Sequence, residues 1–459
     1  MRRVTHVRVE GLFGHLRHDI PISASAPTIL TGPNGAGKTH VLMLLRAALI
    51  VDLKTLFKLP YTEFEVQFSD NHQLQIRRAI VKDEPELEIA ALKGGKADGR
   101  AAKVRAVDFE EPDLPRHIIP LPDGRLYDSR IERTLSAETA QRRYGPLIIT
   151  PRRRFNNYPA IVRMISENAP ILIDTKRLDA ALPGHLQSDI EGFHSNPTER
   201  ALASSSIGRY IGQIRIQVTE ARRASVQATQ SADLSFAARA LAAASDRIKE
   251  DPLHQRYDAI VDRYEDLARN GLAIGEAPLS FPEKTTPTVR RILNVFLDDW
   301  ERRLKPLLPV NEKIKTLRDI LDTKLAKSGK RTAMAARGQL VFQSFATGQR
   351  VRVANLSSGE QHLVALFTLL LFTANGDSLV LIDEPEISMH AAWKHAFLDD
   401  ISRVALLTDL QIIVATHSTA IINGRWDLTQ ELGFSDGPYE FHGEETADDT
   451  SLDPDELLA

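Results

Sequence analysis

The chain has 459 residues with a net charge of -3, and 42% of them are hydrophobic against 26% charged, a balance that suits one large globular domain or two to three ordinary ones. It contains no cysteine, which excludes disulfides, thiolate metal sites and cysteine nucleophiles and is compatible with a cytosolic protein. The small net charge excludes a bulk polycation, so any contact with nucleic acid must come from a local patch.

From Met1 to Ile20 the chain is mixed in polarity and lacks the apolar core of a signal segment. Thr5–Gly11 and Ile20–Thr31 are predicted as strands and Leu42–Ile50 as a helix. Tyr61–Gln67 and Gln73–Val81 alternate apolar and polar residues, the pattern of half-buried strands. Ala90–Arg105, rich in Gly, Lys and Ala, is predicted as a solvated loop. Arg142, Arg143, Arg152, Arg153 and Arg154 flank the apolar run Pro146–Ile149. This basic cluster is either a phosphate-contacting patch or an ordinary solvated surface.

Between about residues 180 and 335 the composition turns helical, charged and Ala-rich. Gly208–Ser245 and Leu253–Ala268 carry apolar residues at three- and four-residue spacings. Val289–Leu308 and Glu312–Leu325 continue the pattern after the Pro-containing break Ala277–Pro287. Two helical blocks around a break predict either an antiparallel, coiled-coil-like arm or a compact helical subdomain.

From about residue 338 strands and helices alternate. Gln339–Phe345 and Arg350–Ala354 are predicted strands, Gly359–Phe372 a helix, Ser378–Ile382 a buried strand, Met389–Val404 a helix and Gln411–Thr416 another buried strand. That order implies a parallel sheet with both faces covered. Glu431–Ala459 holds many acids and no Lys or Arg, and is predicted to be a loosely held tail. The most apolar runs, Leu363–Phe372 and Leu379–Ile382, fall short of the roughly 20 residues that span a bilayer. A cytoplasmic chain without membrane contact is therefore expected.

The chemistry concentrates in four places. Gly32-Pro-Asn-Gly-Ala-Gly-Lys-Thr39 follows the apolar run Pro27–Leu30 and precedes Val41–Leu49, the strand, Gly-rich loop and helix context of a phosphate-binding P-loop. Its glycines let the backbone approach a phosphate, and loop amides and the helix start present positive partial charge. Asn34, Gly35, Ala36, Gly37, Lys38, Thr39 and His40 are the candidate ATP-binding residues. Lys38 is suited to the β- and γ-phosphates, and the Thr39 hydroxyl to Mg²⁺. Leu379-Val-Leu-Ile-Asp383-Glu384 ends a buried strand with two acids, which calls for a compensating cation. Asp383 is the candidate Mg²⁺ ligand and Glu384 the candidate catalytic base. Leu356-Ser-Ser-Gly-Glu360 opens a long apolar helix, where Ser357, Ser358 and Gly359 would offer amides and hydroxyls to an anion. By itself such a serine is an ordinary helix cap. His417 follows the apolar strand Ile412–Thr416.

This ordered set resembles the ABC ATPase superfamily over about residues 1–80 and 338–425: P-loop, signature sequence, acidic strand and switch histidine. The resemblance implies an α/β ABC-type P-loop ATPase head with a mixed or parallel sheet, interrupted by a long helical, coiled-coil-like insertion. The implied division is 1–179 and 338–430 for the head, 180–337 for the insertion and 431–459 for the tail. It further implies ATP and Mg²⁺ as cofactors, His417 on the γ-phosphate beside catalytic Glu384, and a homodimer or higher oligomer. In that assembly Ser357, Ser358, Gly359 and Glu360 of one subunit would close over ATP held by another.

The stretch 40–355 between P-loop and signature is long and largely helical, which looks like the SMC, recombination-mediator and OLD-like groups. Asp383-Glu-Pro-Glu386 with His390, and Gly11-Leu-Phe-Gly14, resemble the OLD-like and related bacterial AAA-labelled ATPases. Many of those belong to phage-defence systems, with effectors such as a nuclease or toxin. Two departures stand out. The superfamily's glutamine after the P-loop has no clear equivalent, because the candidate strand Ile171–Asp174 is followed by Thr175, Lys176 and Arg177. Only residues 418–459 follow His417, too few for the nuclease domain of OLD proteins, so any effector is expected on a separate polypeptide. The alternative is a DNA-repair or chromosome-maintenance ATPase that clamps DNA.

Overall fold

The computed structural model describes residues 2–81, 84–106, 118–120, 126–131, 133–135, 139, 155–165, 170–174, 206–243, 247–273, 275, 280–282, 284–335, 338–374 and 378–433. The basic cluster around Pro146–Ile149 and the acidic stretch after residue 433 lie outside them.

The chain opens with strands β1 (Val4–Leu12), β2 (Leu16–Pro21) and β3 (Thr28–Thr31), then helices α1 (Lys38–Ile50) and α2 (Leu53–Lys58). Strands β4 (Glu63–Phe68), β5 (His72–Val81), β6 (Glu84–Lys93), β7 (Lys96–Ala97) and β8 (Ala102–Arg105) follow. All of these strands except β3 form one seven-stranded antiparallel sheet, ordered β2-β1-β4-β5-β6-β7 with β8 also on β6. Alternation drives it: Phe64, Val66, Leu74, Ile76, Leu87 and Ile89 point to one face and are buried. That corrects the solvated loop expected at Ala90–Arg105. Gly94 and Gly95, both at positive φ, make a hairpin turn, and the chain returns as β7 and β8 against β6.

After the short strands β9 (Ile118–Pro120), β10 (Leu126–Asp128) and β11 (Arg133–Leu135), helix α3 (Pro159–Met164) leads to β12 (Ile171–Asp174). Four helices come next: α4 (Ser206–Ala242), α5 (Glu250–Arg269), α6 (Pro287–Leu304) and α7 (Leu308–Leu325). A three-stranded antiparallel sheet, β13 (Lys330–Ala335), β14 (Gln339–Ser344) and β15 (Arg350–Val351), precedes α8 (Ser358–Thr368), which runs into the wide π-type turn Leu369–Thr373. The chain then forms β16 (Leu379–Asp383), α9 (Ala391–Thr408), β17 (Gln411–Ala415), α10 (Thr419–Ile422) and β18 (Thr429–Glu431).

A second sheet has the order β12-β16-β17-β3-β18, and every pairing in it is parallel. Its central strands β16 and β17 are short, almost wholly apolar and buried on both faces, as crossover connections require. This sheet unites remote segments. The strand before the P-loop lies between β17 and β18 from the far end of the chain, and in register Asp174, Asp383 and Ala415 share one level.

The helices α4–α7 share one apolar core with the sheet. Ile214, Val218, Ile260, Trp300, Leu317 and Leu321 cluster with Leu363, Phe367, Val380 and Ile382. Gln217 Nε2 donates to the Phe372 carbonyl at 2.8 Å, tying α4 to the turn after α8. Lys324 on α7, buried, pairs with Asp400 on α9. The outer half of α4 differs: Arg239 pairs with Asp299 of α6, while Leu234 is 91% exposed. The base of this region is thus packed into the head and its outer part rests on α6. No helix among the described residues is long and apolar enough to cross a membrane.

Ile214→Ala on α4 is expected to destabilise the protein by about 2–5 kcal/mol through the cavity it leaves. Leu234→Ala on the same helix should stay within about 0.5 kcal/mol. Denaturant unfolding of the two variants checks this; equal, small effects would mean that α4 does not share the core.

Candidate functional site

The loop between β3 and α1 owes its shape to glycines. Gly37 caps α1 with φ 87°, and a Cβ there would lie 2.5 Å from the Leu12 side chain. A Cβ at Gly32, where φ is 135°, would collide with the Leu432 carbonyl oxygen. Ala36 is buried and its carbonyl accepts from His18 Nε2 at 2.8 Å, so His18 carries its proton on Nε2. Burial pushes the His18 pKa down, against the hydrogen bond that raises it. Asn34 and Gly35 are exposed at the loop's mouth. His40 lies edge-on to Phe13, with ring centroids 4.7 Å apart, and burial lowers its pKa.

Lys38 is 5% exposed. Its ammonium donates to the Gly32 and Pro33 carbonyls at 2.9 and 3.0 Å and to His417 Nδ1 at 3.2 Å. Burial lowers the Lys38 pKa, and the charges of Glu384, Asp383 and Glu386 counter it. Because the lysine donates, His417 Nδ1 must accept, and the neutral ring's proton sits on Nε2. That nitrogen faces Glu384 Oε1 at 3.9 Å.

The Thr39 hydroxyl donates to Asp383 Oδ1 at 3.1 Å. Two hard oxygen donors at a P-loop are what Mg²⁺ takes from a protein when phosphate and water complete its octahedron, so these residues fit that ion. Among the described residues no group of three His, Cys, Asp or Glu could hold a metal by itself. Glu384 sits just past β16 with φ 46°, a left-handed conformation that costs a non-glycine residue about 1–3 kcal/mol and gathers at functional sites. The 3₁₀ turn Pro385–Ser388 starts from it.

Ser357 and Glu360 form a reciprocal capping box: the Ser357 Oγ accepts from the Glu360 amide at 3.3 Å, and Glu360 Oε2 accepts from the Ser357 amide at 2.7 Å. Glu360 is buried and also accepts from Lys330 at 2.8 Å and Ser328 at 2.6 Å. Ser357 and Ser358 are exposed and Gly359 half-buried. The structure therefore brings Lys38, Thr39, Asp383, Glu384 and His417 together. It does not join Ser357–Glu360 to them within one chain.

Sequence reading overlooked two residues here. His18 stands at an inward position of the alternating strand β2, a signal that was available. Glu386, noted only as part of Asp383-Glu-Pro-Glu386, reaches the loop bearing His417. For the missing glutamine, β12 is the strand beside β16; Thr175, Lys176 and Arg177 lie outside the described residues.

The family model described as "AAA domain, putative AbiEii toxin, Type IV TA system" matches residues 186–423, over half of the chain. The chain belongs to this AAA domain family. The matched span takes in Ser357–Glu360, Asp383, Glu384 and His417, and the fold adds Lys38 and Thr39 from outside it. Solved structures similar to the chain include two Smc heads. One is the Smc head domain with an extended coiled coil bound to the C-terminal domain of ScpA, from Pyrococcus furiosus: 14% identity, 92% of this chain, 91% of that chain, TM-score 0.33. The other is the SmcHead bound to the C-winged helix domain of ScpA: 12% identity, 91% and 90% coverage, TM-score 0.31. No curated protein matches the chain. The family match, the sheet order and the loop geometry together give this AAA family member a P-loop ATPase fold.

Glu360 supplies a pH test. Burial raises its pKa, but hydrogen bonds from Lys330, Ser328 and the Ser357 amide outweigh burial and hold it below the ordinary carboxylate range. A depressed folded pKa stabilises above the unfolded value, about 4.3, and that stability is lost as pH falls through the folded one. Glu360→Gln is expected to cost about 1.5–3 kcal/mol at neutral pH. The gap from wild type should close as pH falls below about 4. Unfolding curves at several pH values measure it, and a pH-independent gap would contradict the role of the charge.

Proposed function

We propose that this chain binds ATP with Mg²⁺ and hydrolyses it, using the γ-phosphate to hold two or more copies of itself together. The observation that carries the reading is the convergence of Lys38, the Thr39–Asp383 pair and the Glu384–His417 pair at one end of a parallel sheet. Asn34 to His40 embrace the phosphates, with Lys38 on the β- and γ-groups. Thr39 and Asp383 would hold Mg²⁺, which would neutralise charge on the phosphate oxygens. Glu384 orients the attacking water and takes its proton as the new oxygen–phosphorus bond forms. The bond to the bridging oxygen breaks and ADP leaves. His417 contacts the γ-phosphate.

Ser357, Ser358 and Gly359, at the exposed start of α8, close over the γ-phosphate of a second copy, and Glu360 shapes that helix start. On this reading residues 1–179 and 338–430 form the head, 180–337 an insertion that senses or transmits, and 431–459 an acidic tail, in a cytoplasmic protein without membrane contact. The family description names a putative toxin of a type IV TA system, and the place proposed for this chain is a bacterial antiviral defence system. There the assembly state would control a separate effector, a nuclease or toxin.

Glu384→Gln is expected to keep ATP affinity, lose hydrolysis by about a hundredfold or more, and accumulate as an ATP-bound oligomer. Nucleotide binding, phosphate release and sizing in ATP report these; hydrolysis at the wild-type rate would overturn the role of Glu384. Lys38→Ala should lose nucleotide affinity, and unchanged affinity would count against the cradle. Stimulation of hydrolysis by DNA, with no effector co-purifying, would favour the DNA-clamping alternative.

A further inference from the structure

Three acids, Asp383, Glu384 and Glu386, stand at and just after the end of β16, and the mechanism above uses the first two. The third, Glu386, lies on the 3₁₀ turn Pro385–Ser388 that begins at the left-handed Glu384. Its Oε1 accepts two hydrogen bonds from the next strand's loop: from the Thr416 hydroxyl at 2.7 Å and from the His417 amide at 3.0 Å. Its Oε2 is buried without a hydrogen-bond partner. The carboxylate therefore spends one oxygen on the loop that carries the histidine.

The loop has few other restraints near the histidine. The Thr416 amide donates to the Leu30 carbonyl at 3.1 Å, and the Ser418 amide donates to Thr416 Oγ1 at 3.0 Å. Thr416 is thus oriented by Glu386 and in turn orients Ser418. The His417 ring reaches Lys38 Nζ at 3.2 Å and Glu384 Oε1 at 3.9 Å. Its backbone is set by Glu386. On the other side, the Glu384 amide donates to the Ala415 carbonyl at 2.9 Å. Two crossing links, Glu384 to Ala415 and Glu386 to Thr416 and His417, join the acidic turn to the histidine loop.

We infer that Glu386 is a positioning residue that fixes His417 against Glu384 and Lys38, so that base and histidine are presented to the γ-phosphate as one unit. Resting on the ATPase reading above, this adds a residue which that reading does not use. Glu386 acts through the backbone of His417, whose amide donates to it. A misplacement of about 1 Å in such a group costs on the order of a hundredfold in rate without requiring any change in substrate affinity. The acceptor role also separates from the negative charge. In Glu386→Gln the amide oxygen can still accept both hydrogen bonds, whereas Glu386→Ala removes the acceptor.

The test is steady-state ATP hydrolysis and ATP affinity for full-length wild type, Glu386→Ala, Glu386→Gln, Thr416→Val, His417→Ala and the Glu386→Ala/His417→Ala double variant. Glu386→Ala should lower kcat about tenfold to a hundredfold while KM changes by less than about threefold. Glu386→Gln should recover most of the loss. Thr416→Val, which leaves the His417 amide bonded, should give a smaller loss. The double variant should be no slower than His417→Ala alone, because one residue acts through the other. Multiplying losses in the double variant, a Gln variant as slow as Ala, or a rise in KM with kcat unchanged would each overturn the proposal. Should Glu386→Ala fail to fold, Thr416→Val decides: a lowered kcat at little-changed KM supports the proposal, and a wild-type rate would refute it. Wild-type protein that binds ATP without hydrolysing it would instead refute the ATPase reading itself.

Discussion

The molecule is organised around the burial of one ammonium group. Taking a lysine charge out of water costs several kcal/mol unless it is paired and hydrogen-bonded. Lys38 meets that demand with two loop carbonyls, a histidine nitrogen and the field of Asp383, Glu384 and Glu386. None of the acids is near Lys38 in sequence. They reach it because β3 pairs with β17, which pairs with β16, all in parallel register. The sheet order is therefore an electrostatic requirement as much as a packing arrangement. A slip in register would leave a buried cation facing apolar residues.

The helical region is held to the same centre from a different direction. The core that contains Val380 and Ile382 on one face of β16 also contains Ile214, Leu317 and Phe367. Changes in packing among α4, α7 and α8 thus act directly on the strand that ends in Asp383. The capping box at Ser357 is anchored through Glu360 to Lys330, and Lys324 to Asp400, so the segment from α7 into β13 grips both α8 and α9.

What the sequence revealed was what is local. Gly32–Thr39 is legible because a P-loop needs its glycines, lysine and threonine at fixed spacing. Leu379–Asp383 and Ile412–Ala415 are legible because strands buried on both faces read as unbroken apolar runs. The hairpin through Gly94 and Gly95 was hidden because its glycines and lysines look like a loop, while the inward series Leu87, Ile89 and Ala91 runs up to it and Ala102 and Val104 resume it beyond. The fate of residues 206–325 was ambiguous because apolar spacing declares a helix and its sticky face but not what covers that face. Glu386 escaped notice for a related reason. Its partners are set by a 3₁₀ turn and a neighbouring strand, and nothing in its spacing from Glu384 distinguishes an acceptor for a loop from an exposed acid.

The placement of β3 has a consequence for biosynthesis. Its two neighbours, β17 and β18, are made only when residues 411–431 have emerged. At about 5–20 residues per second, the P-loop strand waits on the order of tens of seconds for them. Meanwhile the antiparallel sheet from β1 to β8, whose contacts are mostly between successive strands, can already close. Ile29, whose core partners Leu398 and Ile422 are made late, stays uncovered during that interval. The nascent chain thus brings Asp383, Glu384 and His417 to Lys38 only after residues 411–431 are made, and a product truncated before residue 383 would carry the P-loop sequence without the acids that neutralise its lysine.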